Sequence, residues 1–244
     1  MIYKITSKDN RKVVEASKLR LNKYQEETGL FLVEGHHMLD MASKYQRVQS
    51  VFTTTELSGL AVDQYLVSED ILRKIASSKN PQGVVAICQK TVPSPDIKDK
   101  VLYLDDISDP GNLGTIIRTA LAFGYLDVLL SSQCASPFSD KAISASQGAL
   151  FAVNLVTKGE KELVRLKSAG YQIVATSLKD SLPIEKSKIE KRHIVILGNE
   201  SRGVREELLA LADKKVKIAI SGIDSLNVSV AAGIVLYAIE AKSR

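Results

Sequence analysis

The sequence predicts an α/β protein whose second half forms a mostly parallel sheet. Short runs of Val, Ile and Leu recur along its 244 residues, and stretches of helical length lie between them. Turn signals built from Gly, Pro and Asn divide the two kinds of segment. Alternation of strands with helices is typical of parallel sheets, because parallel neighbours need a crossover connection. With 45% hydrophobic and 25% charged residues, the chain can form a packed core.

The first 90 residues predict a small α/β module. Its predicted strands cover residues 30–33, 48–54 and 84–88, and a further strand ends at Val67. Its predicted helices cover residues 8–23, about 36–45 and 69–77, and Ser68 is the N-cap of the last. Residues 91–98 then contain two prolines and no core-forming run. Such stretches commonly separate domains, so we expect one domain at 1–92 and a second at 98–244.

The second domain alternates strands and helices more regularly than the first. Its predicted strands cover residues 101–104, 126–130, 151–156, 172–176, 193–197 and 215–220. Its predicted helices run from the turn at 109–112 to about Phe123, from Ser136-Pro137 onward, and over 160–169, 204–212 and 227–241.

Positive charge is concentrated at the N-terminus. Residues 1–24 hold seven cations and two anions, a balance of +5 that equals the net charge of the whole chain. The segment is either a patch that faces a polyanion such as RNA or the solvated face of a helix, and we favour the first. The candidate RNA contacts are Lys8, Arg11, Lys12, Lys18 and Arg20.

The composition argues against several other classes of protein. Cys88 and Cys134 are too few for a disulfide framework or a zinc site, so we expect buried free thiols and a reducing cytoplasm. The N-terminus lacks the apolar segment of a secretory signal. The longest nearly apolar run, 228–239, is shorter than the roughly 20 residues that a membrane span needs. The three histidines have no metal-ligand spacing, and we expect no metal site.

A strand-to-helix junction near the start of the second domain carries unusual polar residues. In parallel sheets, ligands collect at the carboxyl ends of strands. Asn112 lies at the predicted helix start, and Arg118 follows six residues later among apolar sequence neighbours. Arg118 could clamp a phosphate through its planar fork, or it could form a structural salt bridge with Asp105 or Asp106. The spacing alone leaves both interpretations open.

Two later junctions also combine glycine or small residues with polar side chains. At 197–203, Gly198 and Gly203 permit close approach of a ligand to the backbone, and Asn199 or Glu200 could bond a ribose hydroxyl or an amine. An ordinary strand–helix turn would have a similar sequence. At 218–233, a polar loop with Ser225 and Asn227 precedes an apolar helix, and either residue is a plausible N-cap.

The three junctions together resemble the SpoU family of RNA 2′-O-methyltransferases. Asp109–Gly124 closely resembles motif 1 of that family, Leu197–Gly203 resembles motif 2, and Ser225–Ala231 resembles motif 3. Their order and spacing also match, and the resemblance covers about residues 101–244. Residues 31–35 and 80–84 are similar to the family's substrate-binding domain, an α/β module similar to certain ribosomal proteins.

The resemblance implies more than spacing alone can show. It implies that the second domain is a parallel-sheet α/β domain with a C-terminal trefoil knot, an arrangement that is rare in proteins. It implies S-adenosyl-L-methionine as cofactor, bound by the motif 2 and motif 3 loops. It also implies a homodimer with the site near the subunit interface. The substrate would be RNA, methylated at a ribose 2′-hydroxyl, and the added N-terminal domain favours ribosomal over transfer RNA.

Site residues are carried over from the family position by position. Arg118 matches the catalytic arginine, Asn112 its polar neighbour, Glu200 the motif 2 acid, and Ser225 and Asn227 the motif 3 polar pair. The implied cofactor contacts are Leu197, Gly198, Asn199, Glu200, Gly203, Ile218, Ile220, Ser225, Leu226 and Asn227. An ordinary arginine, with a pKa above about 12, is a poor general base. We therefore expect Arg118 to position the hydroxyl rather than to remove its proton.

Two functions of other classes compete with a methyltransferase. The first is a non-catalytic RNA-binding or ribosome-assembly factor on the same fold, and the intact set of Asn112, Arg118, Glu200 and Asn227 argues against it. The second is a nucleotide-dependent oxidoreductase, and the absence of a Gly-x-Gly-x-x-Gly fingerprint argues against it.

Overall fold

A computed structural model describes residues 1–242, which form two compact units. The first unit comprises Met1–Val92 together with Phe138–Phe151, and the second comprises Pro93–Pro137 and the described residues from 152 to 242. Each unit is built on one β-sheet flanked by helices. The predicted α/β class and parallel sheet are therefore confirmed. The trefoil knot and the domain bounds at 1–92 and 98–244 stay predictions.

The first unit contains a five-stranded mixed sheet in the order β1-β4-β3-β5-β2. Its strands are β1 (Ile2–Lys4), β2 (Leu30–Glu34), β3 (Val48–Thr53), β4 (Asp63–Leu66) and β5 (Val84–Gln89). β1, β4 and β3 run parallel, whereas β5 is antiparallel to both β3 and β2. Its helices are α1 (Arg11–Lys18), α2 (Asn22–Thr28), α3 (His36–Lys44), α4 (Glu69–Ile75) and α6 (Asp140–Ser146).

The single helix predicted at 8–23 is wrong, because the segment forms two helices. α1 ends at Lys18, and α2 begins at Asn22. Val13, Ala16 and Leu19 recur every three residues and pack into the core of the unit. Leu19 is 4% exposed. Its burial therefore fixes the chain at the turn between the two helices.

The helix predicted to start at Ser136-Pro137 begins later, at Asp140. Its N-cap is Ser139, whose Oγ accepts a hydrogen bond from the backbone N–H of Ala142 at 3.4 Å. Phe138, directly before the cap, is buried with its ring centroid 4.9 Å from that of Phe31. The chain therefore turns into the helix only after this aromatic ring has been packed.

The second unit contains a seven-stranded, wholly parallel sheet in the order β10-β12-β9-β11-β6-β7-β8. Its strands are β6 (Lys100–Leu104), β7 (Asp127–Leu130), β8 (Asn154–Thr157), β9 (Gln172–Thr176), β10 (Leu182–Pro183), β11 (His193–Leu197) and β12 (Lys214–Lys217). Its helices are α5 (Pro110–Ala122), α7 (Glu160–Ser168), α8 (Glu206–Leu211) and α9 (Val228–Ala241).

The strand order determines where a site can form. β11 is buried along its whole length and pairs in register with β6, from His193 opposite Lys100 to Leu197 opposite Leu104. β9 and then β12 follow on the other side of β11. Because all these strands are parallel, the loops that follow β6, β11, β9 and β12 meet at one edge of the sheet. α5 and α9, which continue from two of these loops, pack against each other.

Three smaller sequence expectations can be compared with the structure. Cys88 is a buried free thiol as expected, whereas Cys134 is free but only partly buried. In residues 1–242, no helix is long and apolar enough to cross a membrane. Over the same residues, no group of three His, Cys, Asp or Glu side chains is arranged to hold a metal ion.

Candidate active site

A chain of hydrogen bonds joins one side chain from each of the three sequence motifs. The Asn112 carboxamide donates from Nδ2 to Glu200 Oε1 at 3.0 Å. Asn112 Oδ1 in turn accepts a hydrogen bond from Asn227 Nδ2 at 3.1 Å. These residues are 88 and 115 positions apart in sequence, so only the fold can bring them together. The structure therefore unites three of the five predicted catalytic residues in one network.

Glu200 is held as a carboxylate by several donors. Besides Asn112, the hydroxyl of Ser108 donates to Glu200 Oε2 at 3.2 Å, and its backbone N–H donates at 3.5 Å. Partial burial tends to raise the pKa of Glu200, but the hydrogen bonds from Asn112 and Ser108 outweigh it and hold the pKa below the ordinary value. Glu200 is thus a fixed hydrogen-bond acceptor and negative charge at neutral pH.

Replacing Asn112 by alanine should raise the pKa of Glu200 toward its ordinary value, because the side-chain donor that lowers it most is lost. A lowered pKa gives stability that is present above the ordinary carboxyl pKa and lost as the pH falls through the folded-state pKa. The variant should therefore have less of this contribution above the ordinary carboxyl pKa, and its stability should fall less as the pH is lowered through this range. A carbon-13 NMR titration of the Glu200 carboxyl group checks this. Asn80→Ala, at an exposed asparagine in the first unit, is the control; equal titrations of Asn112→Ala and wild type would contradict the prediction.

Asn227 has a second task at the start of α9. Its Oδ1 caps the helix by accepting from the backbone N–H of Ser229 at 2.9 Å and of Val230 at 3.4 Å. The Asn227 amide therefore both fixes the start of α9 and orients Asn112. Of the two N-cap candidates in this loop, the structure selects Asn227, and Ser225 is exposed three residues before the helix.

The loop from Gly198 to Gly203 is a tight closed turn. Asn199 and Gly203 exchange two backbone hydrogen bonds, of 3.0 and 2.9 Å. A Cβ atom on Gly198 would lie 2.1 Å from the backbone nitrogen of Val204 and 2.2 Å from the carbonyl carbon of Gly203. Only glycine fits at position 198, because the chain returns directly over its Cα atom. Gly203 has φ +71°, the left-handed region that glycine adopts without strain.

Two aspartates that directly follow β6 hold the loop from Gly198 to Gly203 in position. Asp105 is fully buried, and its carboxylate accepts from Arg205 Nε at 2.7 Å and from the Arg205 backbone N–H at 2.9 Å. Asp106 forms an ion pair with Arg202, and its carbonyl accepts from Asn199 Nδ2 at 2.8 Å. These contacts position the loop that carries Glu200. Arg202 lies within motif 2 and Arg205 lies two residues beyond it, and no sequence pattern marked either one as a partner of these aspartates.

The contacts of Asp105 and Asp106 also show whether Arg118 forms a structural salt bridge with either aspartate. Asp105 and Asp106 are occupied by Arg205 and Arg202, so the salt bridge from Arg118 to either aspartate is ruled out. The apolar surroundings expected for Arg118 are also wrong: it lies on the exposed side of α5, while Ile116 and Ile117 point into the core. Arg118 has no hydrogen bond or ion pair within residues 1–242. The structure thus leaves Arg118 apart from the network of Asn112, Glu200 and Asn227.

A pocket of about 660 Å³ lies at the carboxyl edge of the second sheet. Nine of the ten predicted cofactor contacts line it, namely Leu197, Gly198, Asn199, Glu200, Gly203, Ile218, Ile220, Ser225 and Leu226. Asn227 does not line it. The sequence analysis missed two further lining segments, Thr176–Asp180 at the end of β9 and beyond it, and Lys215–Lys217 of β12. The strand order, which the sequence does not reveal, places β9 next to β11 and β12 next to β9.

The pocket suits S-adenosylmethionine on two counts. Its volume is in the range of about 300–1,000 Å³ that is usual for small-molecule sites. Its walls combine apolar side chains, such as Leu178 and Ile218, with carboxylates such as Glu200 and Asp224. The lining holds four acidic residues, Asp180, Glu200, Glu206 and Asp224, and four basic ones, Lys179, Arg202, Lys215 and Lys217. Such a mixed lining can meet both the positive sulfonium and ammonium groups and the negative carboxylate of the ligand.

The five predicted RNA contacts all lie on the surface of the first unit. Lys8, Arg11, Lys12, Lys18 and Arg20 are exposed, on α1 or next to it. Arg11 forms an ion pair with Glu15 on the same helix, at 2.7 Å. The Lys18 ammonium lies 5.5 Å from the ring centroid of Tyr24. The opposite face of α1 enters the core, so the helix presents its cations outward.

A pocket at the carboxyl edge of a parallel sheet, with a carboxylate and carboxamides at its rim, defines an α/β enzyme that binds a small ligand. Comparison with known proteins identifies its kind. The family model of the SpoU rRNA methylase family matches residues 99–237, and that of the MRM3-like substrate binding domain matches residues 10–86. The chain therefore belongs to the SpoU rRNA methylase family, as its three motifs predicted.

Relatives and a solved structure agree with this assignment. The 23S rRNA (guanosine(2553)-2′-O)-methyltransferase RlmP of Bacillus subtilis (strain 168) is 32% identical over 241 residues, which cover 96% of this chain and 97% of the relative. The 23S rRNA (guanosine-2′-O-)-methyltransferase RlmB of Acinetobacter baylyi is 32% identical over 210 residues, covering 79% and 83%. The AdoMet-bound rRNA methyltransferase from Sinorhizobium meliloti has a TM-score of 0.88 at 29% identity, covering 99% and 98%. The predicted methyltransferase activity and S-adenosylmethionine cofactor are thereby confirmed.

Proposed function

We propose that this protein transfers the methyl group of S-adenosylmethionine to a ribose 2′-hydroxyl of ribosomal RNA. The observation that carries the proposal is the hydrogen-bond network of Glu200, Asn112 and Asn227, which joins the three motifs and reaches the pocket through Glu200. The two relatives described above are 23S rRNA 2′-O-methyltransferases, which supports both the ribose and the ribosomal assignment.

The protein's own contribution to this reaction is mainly alignment. Bound S-adenosylmethionine supplies an already activated methyl group on its sulfonium. Holding two reactants in line can lower a barrier by about 7–11 kcal/mol. In our proposal Glu200 orients the bound reactants in the pocket. Asn112 holds the Glu200 side chain in position, and Asn227 holds the side chain of Asn112. Arg118 holds an RNA phosphate beside the reacting hydroxyl through its planar fork.

The pocket residues divide by the kind of contact they can offer. We assign backbone contacts with the cofactor to Leu197, Gly198, Gly203, Ile218 and Ile220, and side-chain contacts to Asn199, Glu200, Ser225 and Leu226. Asn227 is assigned a positioning role, because its amide is already engaged by α9 and by Asn112.

We also propose that two copies of the chain form a homodimer through α9. Val230, Ile234 and Tyr237 lie four and three residues apart and form an apolar stripe on its outer side, 52%, 36% and 63% exposed. Ile223, in the loop before the helix, is a further 60% exposed. Contiguous exposed apolar groups of this kind mark association surfaces. α5, which carries Arg118, packs on α9, so the dimer would place Arg118 near the interface.

Replacing Tyr237 by glutamate should therefore convert the protein to a monomer. The change buries a charge against the apolar stripe of the partner, which is costly without a counter-charge. Analytical ultracentrifugation should give the mass of one 26.6 kDa chain for the variant and twice that mass for the wild type. Val164→Glu, at an isolated valine of α7 that is 56% exposed, is the control and should not change the mass. A monomeric wild type would refute the proposed dimer.

Localisation and RNA binding complete the proposal. With ribosomal RNA as its substrate, the protein is proposed to act in the cytoplasm. The exposed cations Lys8, Arg11, Lys12, Lys18 and Arg20 then contact the RNA backbone, and binding weakens as the salt concentration rises.

The reaction can be tested with tritiated S-adenosylmethionine and total RNA from a strain that lacks the gene. A 2′-O-methyl group removes the hydroxyl that attacks the phosphodiester, so label should appear in alkali-resistant dinucleotides. Sizing the labelled RNA should identify ribosomal RNA. Label in ordinary mononucleotides would mean base methylation, and label in transfer RNA would overturn the ribosomal assignment. No label and no cofactor binding would favour a non-catalytic RNA-binding protein.

A further inference from the structure

A second large pocket, of about 880 Å³, lies at the opposite edge of the parallel sheet. It is lined by the residues that lead into β6 and β11, by the preceding segment at 188–191, and by the end of α9. β6 and β11 run parallel and in register, so the amino end of each strand is remote from the site described above. Along five residues of strand, the separation of the two edges is about 13 Å.

This pocket is rich in lysine. Five lysines line it, Lys98, Lys100, Lys188, Lys191 and Lys242, against two acidic residues, Asp99 and Glu190. The sequence did not predict such a concentration, because the lysines come from three separate segments of a region that is neutral as a whole.

Part of this positive charge is already neutralised. Lys100 Nζ lies 2.9 Å from Glu240 Oε2, and Lys242 donates to the carbonyl oxygens of Ile184 and Ser187. Lys191 lies 3.5 Å from Asp99. Lys98 and Lys188 are exposed, and their ammonium groups form no ion pair with any residue in 1–242. The carbonyl partners of Lys242 are neutral, so Lys242 also keeps its charge. Lys98, Lys188 and Lys242 therefore carry the charge that no acidic side chain compensates, and Lys98 and Lys188 have no fixed partner.

The residues that line this basic pocket also indicate which class of ligand it can bind. S-adenosylmethionine carries a net positive charge, so a lysine-rich pocket disfavours it. A site for one small phosphate compound usually relies on a helix N-terminus or an arginine fork. The described lining residues include neither, since the helix that reaches the pocket, α9, ends there. Lysine is a flexible point charge that suits the sequence-independent contacts of a nucleic acid backbone.

We propose that this basic pocket binds phosphate groups of the RNA substrate away from the methylated nucleotide. The proposal rests on the proposed function in that it takes RNA as the substrate. Because the pocket is remote from the cofactor site, it contributes to RNA affinity and leaves the chemical step unchanged.

The test uses the full chain with Lys98→Glu and Lys188→Glu combined. Filter binding with total RNA from a strain lacking the gene should show affinity weakened by about tenfold, since two phosphate contacts become repulsive. The slope of log affinity against log salt should fall by about 1.4, because each contact on single-stranded nucleic acid contributes about 0.7. In the methylation assay KM for RNA should rise, while kcat at saturating RNA stays at the wild-type value.

A matched double variant separates this site from a general charge effect. Lys158→Glu with Lys161→Glu makes the same charge change at two exposed lysines next to and within α7. It should bind RNA like the wild type; equal weakening in both double variants would overturn the proposal. Unchanged RNA affinity and salt slope in Lys98→Glu/Lys188→Glu would also overturn it. The proposal would also be overturned if calorimetry showed that the wild type binds ATP and that Lys98→Glu/Lys188→Glu loses ATP binding but keeps its RNA affinity. The pocket would then serve a free nucleotide. Failure of the proposed function would instead show as absent methyl label with wild-type protein.

Discussion

Replacing Gly198 by alanine should abolish cofactor binding and methyl transfer. The new methyl group would lie 2.1 Å from the backbone nitrogen of Val204 and 2.4 Å from the carbonyl oxygen of Gly203. Both atoms belong to backbone, so no flexible side chain can move aside. The loop must open, and the hydrogen bonds between Asn199 and Gly203 must break.

The consequence extends to the rest of the site. Leu197, Asn199 and Glu200 all belong to the strand end or loop that would shift, and all line the cofactor pocket. A displacement of about 1 Å can cost roughly a hundredfold in rate, even before binding is lost. We expect at least that loss in turnover for Gly198→Ala, together with S-adenosylmethionine binding too weak to measure by isothermal titration calorimetry.

Two other glycine-to-alanine variants serve as comparisons for Gly198→Ala. At Gly203, φ is +71° but a Cβ atom would meet open space, so Gly203→Ala should cost only the left-handed strain of about 1–2 kcal/mol in folding stability. At Gly233, in the middle of α9, the nearest atom to a new Cβ is 3.9 Å away, so Gly233→Ala should be tolerated or stabilising. If Gly198→Ala kept wild-type cofactor affinity, the closed loop would not be the cofactor cradle.

The sequence predicted the second sheet well because its strands are apolar and regularly spaced. β9 and β11 have the predicted bounds, and β6 differs by one residue. Short elements without an apolar pattern were missed. β1 has three exposed residues, and β10 has only two residues, so neither leaves a periodic signal. Strand order was also beyond the sequence, since it depends on which buried faces pack together.

Contacts between residues that are distant in sequence were also beyond prediction in the active site. Asn112, Glu200 and Asn227 could be selected from motifs, but their hydrogen bonds to one another could not, because they are contacts across 88 and 115 residues. Asp105 was suspected of pairing with Arg118, and its true partner is Arg205. A buried carboxylate must find a cation, yet the sequence does not say which of several arginines the fold will bring to it.

Replacing Arg118 should lower the activity strongly while leaving the stability of the protein almost unchanged. Its side chain is exposed and has no partner in residues 1–242, so Arg118→Ala should change the free energy of unfolding by less than about 0.5 kcal/mol. If Arg118 holds an RNA phosphate beside the reacting hydroxyl, the same change should lower kcat by about 10²–10³-fold, the usual cost of losing one transition-state donor. S-adenosylmethionine affinity should stay at the wild-type value, because Arg118 does not line the pocket.

Arg118→Lys distinguishes charge from geometry. Lysine keeps the positive charge and loses the planar two-point contact, so we expect kcat between those of Arg118→Ala and the wild type. Arg73→Ala, which removes an exposed arginine paired with Glu69 and Asp70 in the first unit, is the matched control and should leave kcat unchanged. Full turnover in Arg118→Lys would show that the fork is not needed, and full turnover in Arg118→Ala would remove Arg118 from the mechanism. An exposed, unpartnered arginine on a helix that starts in the active-site loop would then have only a solvating role.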